Sequence, residues 1–390
     1  MLFDLDVIRT DTPGIQNRIH LNNAGAALMP LPVYNAVVNH LKLEMQIGGY
    51  EAQSRAQCVI ERTYDAVAEL IKCDRSEIAL VENATAGWLM AFHGLSLGKG
   101  DRILTAEAEY ASNVITYLQA AKNKGVIIDV VPSDNLGQID ITALERMIDP
   151  HVKLISISHI PTNGGLINPA EAVGKIARKH NIPYLLDACQ SVGQIPIDVN
   201  KIGCDMLSAT GRKYLRGPRG TGFLYIRKDF LDKLEPPFLD LRSADWTHAD
   251  KYEMRKDAKR FENWENNIAA LIGLGVAIDY FLTIGEGAAS ERLCALAATA
   301  RTKLAEIPSV TVHDIGKNKG GMVTFSHSRH SADAIQLTLS KGNINVSTSS
   351  IASTRFDMER RQLGTIVRAS FHYYNNEDEL ECFIDLIAKM

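Results

Sequence analysis

A lysine and an aspartate that follow two neighbouring apolar runs are the residues of this chain best suited to chemistry. Asp187 ends the run 184–187, and Lys213 lies shortly after the run 206–209. Pyridoxal phosphate chemistry requires an amine that forms a Schiff base with the aldehyde and a carboxylate that keeps the ring nitrogen protonated. Alone, Lys213 is typical of a surface lysine and Asp187 of a helix cap. Together and in this order they predict a pyridoxal phosphate site.

Apolar runs around these residues predict the framework that positions them. Helical spacing at 113–124 and 169–180, ended by Gly125 and Asn181, separates several of the runs. This alternation predicts an α/β fold with a mostly parallel sheet, whose ligands collect at the carboxyl ends of the strands. The predicted strands are 78–81, 102–106, 127–131, 154–158, 184–187, 206–209 and 222–226.

Composition and charge exclude several classes of function. The chain has 390 residues, 46% hydrophobic and 23% charged, with a net charge of −4. Without a basic face it is not expected to bind nucleic acid. No apolar run is long enough to span a bilayer and the start does not resemble a secretory signal, so we expect no membrane partner and a cytoplasmic location.

The cysteines and histidines show no spacing typical of a metal site. Six cysteines are scattered without a CxxC pair, and no HExxH motif occurs among the eleven histidines. We therefore expect reduced thiols and no metal. Cys189, between Asp187 and Gln190, is interpreted as a small packed side chain rather than a nucleophile.

Several short motifs in a fixed order carry a resemblance to a known family. The motifs are Leu21-Asn22-Asn23-Ala24-Gly25, Glu82-Asn83-Ala84-Thr85-Ala86-Gly87, Glu109-Tyr110-Ala111-Ser112-Asn113, Ser158 to Gly165, Thr210-Gly211-Arg212-Lys213 and Arg368-Ala369-Ser370. With these motifs the chain resembles the class V aminotransferases, fold type I pyridoxal phosphate enzymes that include cysteine desulfurases, selenocysteine lyases, C–S lyases, kynureninases and aminotransferases. The resemblance implies a large domain with a seven-stranded, mostly parallel sheet, a small α+β domain and a homodimer.

The domain boundary is predicted where the strand rhythm stops. Residues 240–265 are rich in charged and aromatic side chains, and a long apolar helix follows at 267–284. We assign 15–255 to the large cofactor-binding domain, and 1–14 together with 256–390 to the small domain. Further helices are predicted at 290–307, 332–341 and 377–389, with a strand at 322–325.

The resemblance, with the chemistry of each side chain, predicts the cofactor contacts. The helix start at Asn83, Ala84 and Thr85 suits the phosphate, although Asn83 is also typical of an ordinary cap. Thr210 and Arg212 are expected to complete the phosphate site. The remaining cofactor contacts are Tyr110, stacked on the ring, and Asn163 and Gln190, near the phenolic oxygen.

The same reasoning assigns the catalytic and substrate groups. Asp187 is expected to hold the ring nitrogen protonated, and Lys213 to remove the Cα proton. Arg368 matches the family's arginine for the α-carboxylate. Asn23, Ala24 and Tyr50 complete the predicted substrate contacts.

Two departures from the family's patterns bear on the reaction. The stretch 343–354 has no cysteine where cysteine desulfurases carry the thiol that takes up sulfur, and Trp264-Glu265 stands where many relatives have Gly-Thr. A hydroxyl cannot carry sulfane sulfur. The favoured reaction is therefore β-elimination from a cysteine-derived amino acid by a C–S lyase, with transamination as the alternative and epimerisation third.

Overall fold

The computed structural model describes residues 3–390, and within them fourteen α-helices. The helices are α1 Leu5–Thr10, α2 Leu31–Ile47, α3 Gly49–Arg55, α4 Gln57–Ile71, α5 Ala84–His93, α6 Ala111–Lys124, α7 Ile141–Arg146, α8 Ala170–His180, α9 Val199–Ile202, α10 Ile268–Ile284, α11 Glu286–Ala305, α12 Ala332–Lys341, α13 Arg355–Arg360 and α14 Glu377–Ala388. Gly125 and Asn181 end α6 and α8 in the left-handed conformation, with φ of 73° and 54°, as predicted.

The strands of the described chain form a seven-stranded sheet, a four-stranded sheet and two short pairs. They are β1 Ile19–His20, β2 Ile78–Val81, β3 Arg102–Ala106, β4 Ile127–Val131, β5 Val152–Ser158, β6 Tyr184–Asp187, β7 Met206–Thr210, β8 Gly222–Ile226, β9 Ala244–His248, β10 Lys251–Met254, β11 Val310–Val312, β12 Met322–His327, β13 Ile344–Asn345, β14 Ser347–Ser349 and β15 Ile366–Ser370.

The larger sheet has seven strands in the order β2-β8-β7-β6-β5-β3-β4, and only β8 runs antiparallel to its neighbours. This confirms the predicted seven-stranded, mostly parallel sheet. Every predicted strand is found, with ends that differ by at most two residues. Strands β2, β6, β7 and β8 are buried along their whole length, so their residues are mostly apolar rather than alternating, which made them recognisable in the sequence.

The register of the central strands brings their carboxyl ends to one level. Ser158 of β5 pairs with Asp187 of β6, and Asp187 pairs with Ser208 of β7. The chain therefore leaves three adjacent strands at the same edge of the sheet. Residues that follow these strands meet there, as expected for a parallel sheet.

Apolar side chains cover both faces of this sheet. One face packs against α4, α8 and α10, and the other against α5 and α6, where Trp88, Phe92 and Tyr117 are buried together. In α8 the buried residues Val173, Ile176 and Ala177 follow helical spacing, so a single face of the helix meets the sheet. These layers fix the strand ends that carry the site.

The second sheet is smaller and antiparallel. Its strands lie in the order β11-β12-β15-β14, and its core is shared with α11, α12 and α14. The predicted division at residues 14 and 255 stays a prediction. Ile8 of α1 and several buried residues of α10 pack with the core of the larger sheet.

The segment that interrupts the strand rhythm folds into an exposed hairpin, β9–β10. Among the described residues no single helix is long and apolar enough to cross a membrane; α10 and α11 meet the length and composition only as a pair, with a bend of 83° between them.

Candidate active site

A cavity of about 130 Å³ lies at the carboxyl edge of the larger sheet, where β2, β3, β5, β6 and β7 end. It gathers nine of the ten side chains or backbone segments predicted to contact the cofactor. Its lining residues are Asn83, Ala84, Thr85, Tyr110, Ser158, Ile160, Thr162, Asp187, Cys189, Gln190, Thr210, Arg212 and Lys213.

Lys213 reaches the cavity from the turn that follows β7. The amide of Gly211 donates to the carbonyl of Thr221 at 3.0 Å, and a Cβ at Gly211 would lie 2.3 Å from the Thr221 hydroxyl oxygen. Only glycine fits this turn, which sets the direction in which Lys213 leaves the strand. The Lys213 amine lies 3.4 Å from the Cys189 sulfur.

The Asp187 carboxylate is held by two donors at the end of β6. Its Oδ1 accepts from the Cys189 amide at 2.9 Å, and its Oδ2 accepts from Asn113 Nδ2 at 3.0 Å. The side chain is buried but lines the cavity. Its position and negative charge suit contact with the protonated ring nitrogen of the cofactor.

The start of α5 provides an anion site at the same cavity. Asn83 caps the helix by accepting from the Ala86 amide at 2.9 Å. The amides of Ala84 and Thr85 lie in the first turn, where a helix offers no internal acceptor. With Arg212 and Lys213 also lining the cavity, this region favours a phosphate group.

Arg368 is a buried cation beside the cavity. From β15 its guanidinium donates to the carbonyl of Thr162 at 2.7 Å and to the Thr162 hydroxyl at 2.9 Å. Its Nε is buried without a hydrogen-bond partner, and among the described residues it forms no ion pair. Burial lowers the pKa of Arg368. Such a group is suited to bind a carboxylate.

Three predicted site residues lie elsewhere or are held by other contacts. Asn163 points away from the cavity, because its amide donates to the Asp357 carboxylate at 2.8 Å. Asn23 is fully buried and donates to the Ser370 carbonyl at 2.7 Å. Tyr50 is exposed and lines a different cavity.

Ala24 and Gln190 are brought together next to the site. The Gln190 amide nitrogen donates to the Ala24 carbonyl at 3.2 Å, while its oxygen is buried without a partner. An orphaned acceptor of this kind beside a cavity is suited to receive a hydrogen bond from a bound molecule.

The sequence interpretation did not assign a role to Glu109 or Asn113. Both are buried behind Asp187, and Asn113 Nδ2 lies 2.9 Å from Glu109 Oε1. Burial, followed by the negative charge of Asp187, raises the pKa of Glu109 to about 7. The sequence signal for this pair was the spacing of four residues at a helix start, which places two polar side chains on the same face.

Comparison with known proteins identifies the family. The chain matches the model for Aminotransferase class-V over residues 19–383, and it belongs to that family. It is 29% identical to a probable cysteine desulfurase of Pyrococcus abyssi, over 98% of this chain and 96% of the relative.

Two solved structures have the same fold. An apo cysteine desulfurase from Thermococcus onnurineus NA1 is 27% identical with a TM-score of 0.92, covering 98% of this chain and 97% of that one. The cystine C–S lyase C-DES, solved with its product cysteine persulfide, has a TM-score of 0.88 at 24% identity, covering 97% and 99%. At that identity the second likeness concerns the fold alone.

The family and the cavity together confirm that the protein is a pyridoxal phosphate enzyme. The cavity residues fit the cofactor: a helix start and the Arg212 guanidinium suit a phosphate, the Lys213 amine suits the aldehyde, and the Asp187 carboxylate suits the ring nitrogen. The Gln190 side-chain oxygen and the Arg368 Nε add two buried polar atoms that have no hydrogen-bond partner within the described residues.

Proposed function

We propose that this protein is a C–S lyase that acts on a cysteine-derived amino acid. In this reaction the Cα proton is removed, the Cβ–S bond breaks, and the sulfur leaves with its electron pair as a thiolate. The aminoacrylate released takes up water and yields pyruvate and ammonia. No oxidant or reductant is needed, so the reaction is balanced by the substrate, water and proton transfer alone.

In this proposal the cavity residues divide into those that hold the cofactor and those that act on the substrate. Asn83, Ala84, Thr85 and Arg212 hold the phosphate, and Asp187 holds the ring nitrogen. Bound pyridoxal phosphate supplies an electron sink for the Cα carbanion. Lys213 moves the Cα proton.

The substrate is oriented by its α-carboxylate. Arg368 is the buried, unpaired cation beside the cavity, and Thr162 fixes one of its nitrogens by two hydrogen bonds. A carboxylate held there would place Cα on the cavity side of β15. The support for an amino-acid substrate is therefore the charge and the unfilled hydrogen-bonding capacity of this one side chain.

The observation that carries β-elimination is the chemistry of the segment before β15. β14, Ser347–Ser349, and the turn 350–354 contain serine, threonine, isoleucine and alanine but no thiol. Among the six cysteines, all described, only Cys189 lines the cavity. Burial raises the pKa of Cys189 above its ordinary value, which keeps it a thiol rather than a nucleophilic thiolate.

A substrate whose sulfur is alkylated tests this proposal. S-methylcysteine cannot pass its sulfur to a protein thiol, because the sulfur carries no proton to lose and its methyl group stays attached. β-elimination nevertheless releases it as methanethiol. We expect repeated turnover of S-methylcysteine to pyruvate, measured by a lactate dehydrogenase assay. Activity on cysteine with none on S-methylcysteine would oppose the proposal.

Replacing Cys189 by alanine separates packing from catalysis. If the thiol only packs beside Lys213, Cys189→Ala should change kcat for pyruvate release by less than about threefold, since the loss of one sulfur atom at a partly buried position disturbs packing little. Cys294→Ala, a cysteine outside the cavity, is the matched control. A loss of more than about 100-fold in Cys189→Ala alone would show that this thiol takes part in the reaction.

Removing the Arg368 guanidinium should mainly weaken substrate binding. We expect Arg368→Ala to raise KM for an α-carboxylate substrate by about 10- to 100-fold, the effect of losing charge-assisted hydrogen bonds. Arg368→Lys keeps the charge but not the fork and should show an intermediate KM. Steady-state kinetics decide the matter: an unchanged KM in the alanine variant would remove Arg368 from this role.

We also propose that the protein acts as a homodimer through a surface that includes α2 and α3. Leu41, Tyr50 and Trp264 are exposed apolar side chains around an open cavity of about 750 Å³. Sedimentation should give about twice the chain mass of 42.9 kDa. Leu41→Glu should shift the protein towards monomer, whereas Leu337→Glu on α12 should not. A wild-type monomer at micromolar concentration would contradict the proposal.

A further inference from the structure

Glu109 is a buried carboxyl group that the proposed reaction does not use. It lies between β3, β5 and the start of α6 with 1% of its surface exposed. Its Oε1 accepts from the Ser158 hydroxyl at 2.6 Å and from the Tyr110 amide at 2.7 Å, and its Oε2 accepts from the Thr105 hydroxyl at 3.1 Å. All these donors are neutral, and within residues 3–390 no ion pair balances the carboxylate.

One amide group connects this carboxyl to Asp187. Asn113 Nδ2 donates to Glu109 Oε1 at 2.9 Å and to Asp187 Oδ2 at 3.0 Å. An amide nitrogen carries two hydrogens, so both are used, one for each carboxylate. Asn113 is itself buried at 4% exposure. The orientation of the Asp187 carboxylate is thus fixed from behind by a group that depends on Glu109.

We propose that Glu109 is a positioning residue that acts through Asn113 on Asp187. It keeps the Asn113 amide turned towards Asp187, and its negative charge strengthens the hold of this pair of carboxylates on a positively charged ring nitrogen. The inference rests on the proposed role of Asp187 as the partner of the cofactor ring. It does not depend on which reaction follows.

The effect of the Glu109 charge on the ring nitrogen depends on the charged and titratable groups around Glu109. Asp187 on β6 is the charged neighbour, and Tyr117 on α6 and Tyr184 on β6 also sense its charge, but burial raises the pKa of both tyrosines well above the ordinary value. Neither tyrosine is therefore charged near neutral pH. Glu109 is neutral in acid and becomes charged as the pH rises past about 7.

The linkage has a defined sign. The pKa of Glu109 is higher in the fold than its ordinary value of 4.5, so its ionisation disfavours the cofactor-free fold as the pH rises between 4.5 and about 7. A positively charged ring nitrogen next to Asp187 would offset part of the cost of a second negative charge at Glu109. The cofactor should therefore stabilise the wild-type protein more at high pH than it stabilises a variant that lacks the charge.

The test is the binding of pyridoxal phosphate, measured by equilibrium dialysis of the full chain without substrate. Glu109→Gln keeps an oxygen that accepts from Asn113 but removes the charge. Its Kd should match that of the wild type at about pH 5.5 and be about tenfold weaker at about pH 8.5, the effect of one pKa unit. Glu379→Gln, a buried carboxyl outside the cavity, should leave the Kd unchanged at both values.

A second variant tests the bridge and covers a failure of the first to fold. Asn113→Ala removes both donors and should weaken Kd by about tenfold at either pH, because the orientation is lost whatever the charge. Equal Kd values for wild type, Glu109→Gln and Asn113→Ala at both pH values would overturn the inference. Because no substrate is present, this result is separate from that of the C–S lyase proposal, which fails or stands on its products.

Discussion

Replacing Lys213 by alanine is expected to abolish turnover and the yellow colour of the bound cofactor together. Lys213 is the one lysine that lines the cavity at the edge of the larger sheet, among the described residues. Its amine would both attach the cofactor and move the Cα proton, so two functions are lost at once. We expect kcat to fall by more than about 10³-fold, since proton transfer by a positioned group contributes about 10²–10⁴.

Two controls distinguish lost chemistry from lost folding. Lys201→Ala removes an exposed lysine on α9 and should leave colour and rate unchanged. Added methylamine should restore part of the rate of Lys213→Ala, because a small amine can occupy the space of the missing side chain. Absorbance spectra and pyruvate assays measure both effects. Near-normal turnover in Lys213→Ala would contradict the assigned role.

Replacing Asp187 by asparagine is expected to leave the fold and the cofactor in place but to slow the reaction. The asparagine oxygen can still accept from the Cys189 amide, whereas its amide nitrogen meets the donor Asn113. The negative charge that favours a protonated ring nitrogen is lost. We expect kcat to fall by about 10²–10³, the typical cost of removing one electrostatic contact at a reacting centre.

The same variant has a second, independent readout. With cofactor supplied in excess, cofactor content should remain near the wild-type level, because the phosphate site at Asn83–Thr85 and Lys213 are unchanged and the excess offsets a weaker contact with the ring nitrogen. An Asp187→Asn protein with a near-normal rate would show that another group keeps the ring nitrogen protonated. Glu109 is a candidate for that group, since Asn113 joins it to Asp187.

The larger sheet could be predicted from the sequence because its strands are recognised by a local property, a short run of apolar residues. A mostly apolar run of four to seven residues with a helical segment after it can be recognised without knowledge of distant neighbours. The small sheet was predicted less completely: β12 was expected, whereas β11, β14 and β15 were not. β11 pairs with β12, and β14 pairs with β15, so these short strands are defined by their pairing partners rather than by a local pattern.

The site was predictable where a residue's position follows from a strand end, as for Asp187, Thr210 and Lys213. The site was not predictable where a side chain can form a hydrogen bond with either of two partners. Asn163 turns to Asp357, a residue on α13 that lies far away in the sequence. No pattern of residue types reveals such a rotamer choice, which depends on what the tertiary fold places opposite.

The proposed role of Glu109 was also not predictable from the sequence, because it depends on burial. An acidic residue just before a helix is usually a solvated residue that favours the positive end of the helix dipole. Burial changes that meaning, because an unpaired carboxyl inside the protein must be neutral or balanced by a nearby positive charge. Only the structure shows that β3, β5 and α6 enclose it.

The measurement that most directly tests the central claim is the product formed from cysteine by the purified yellow protein without any keto acid. Pyruvate, ammonia and sulfide released in equal amounts over many turnovers are the expected result. Alanine as the main product would show transfer of sulfur to an acceptor thiol, as in a desulfurase. A single turnover that resumes only when a keto acid is added, or loss of optical activity without pyruvate, would replace β-elimination by transamination or epimerisation.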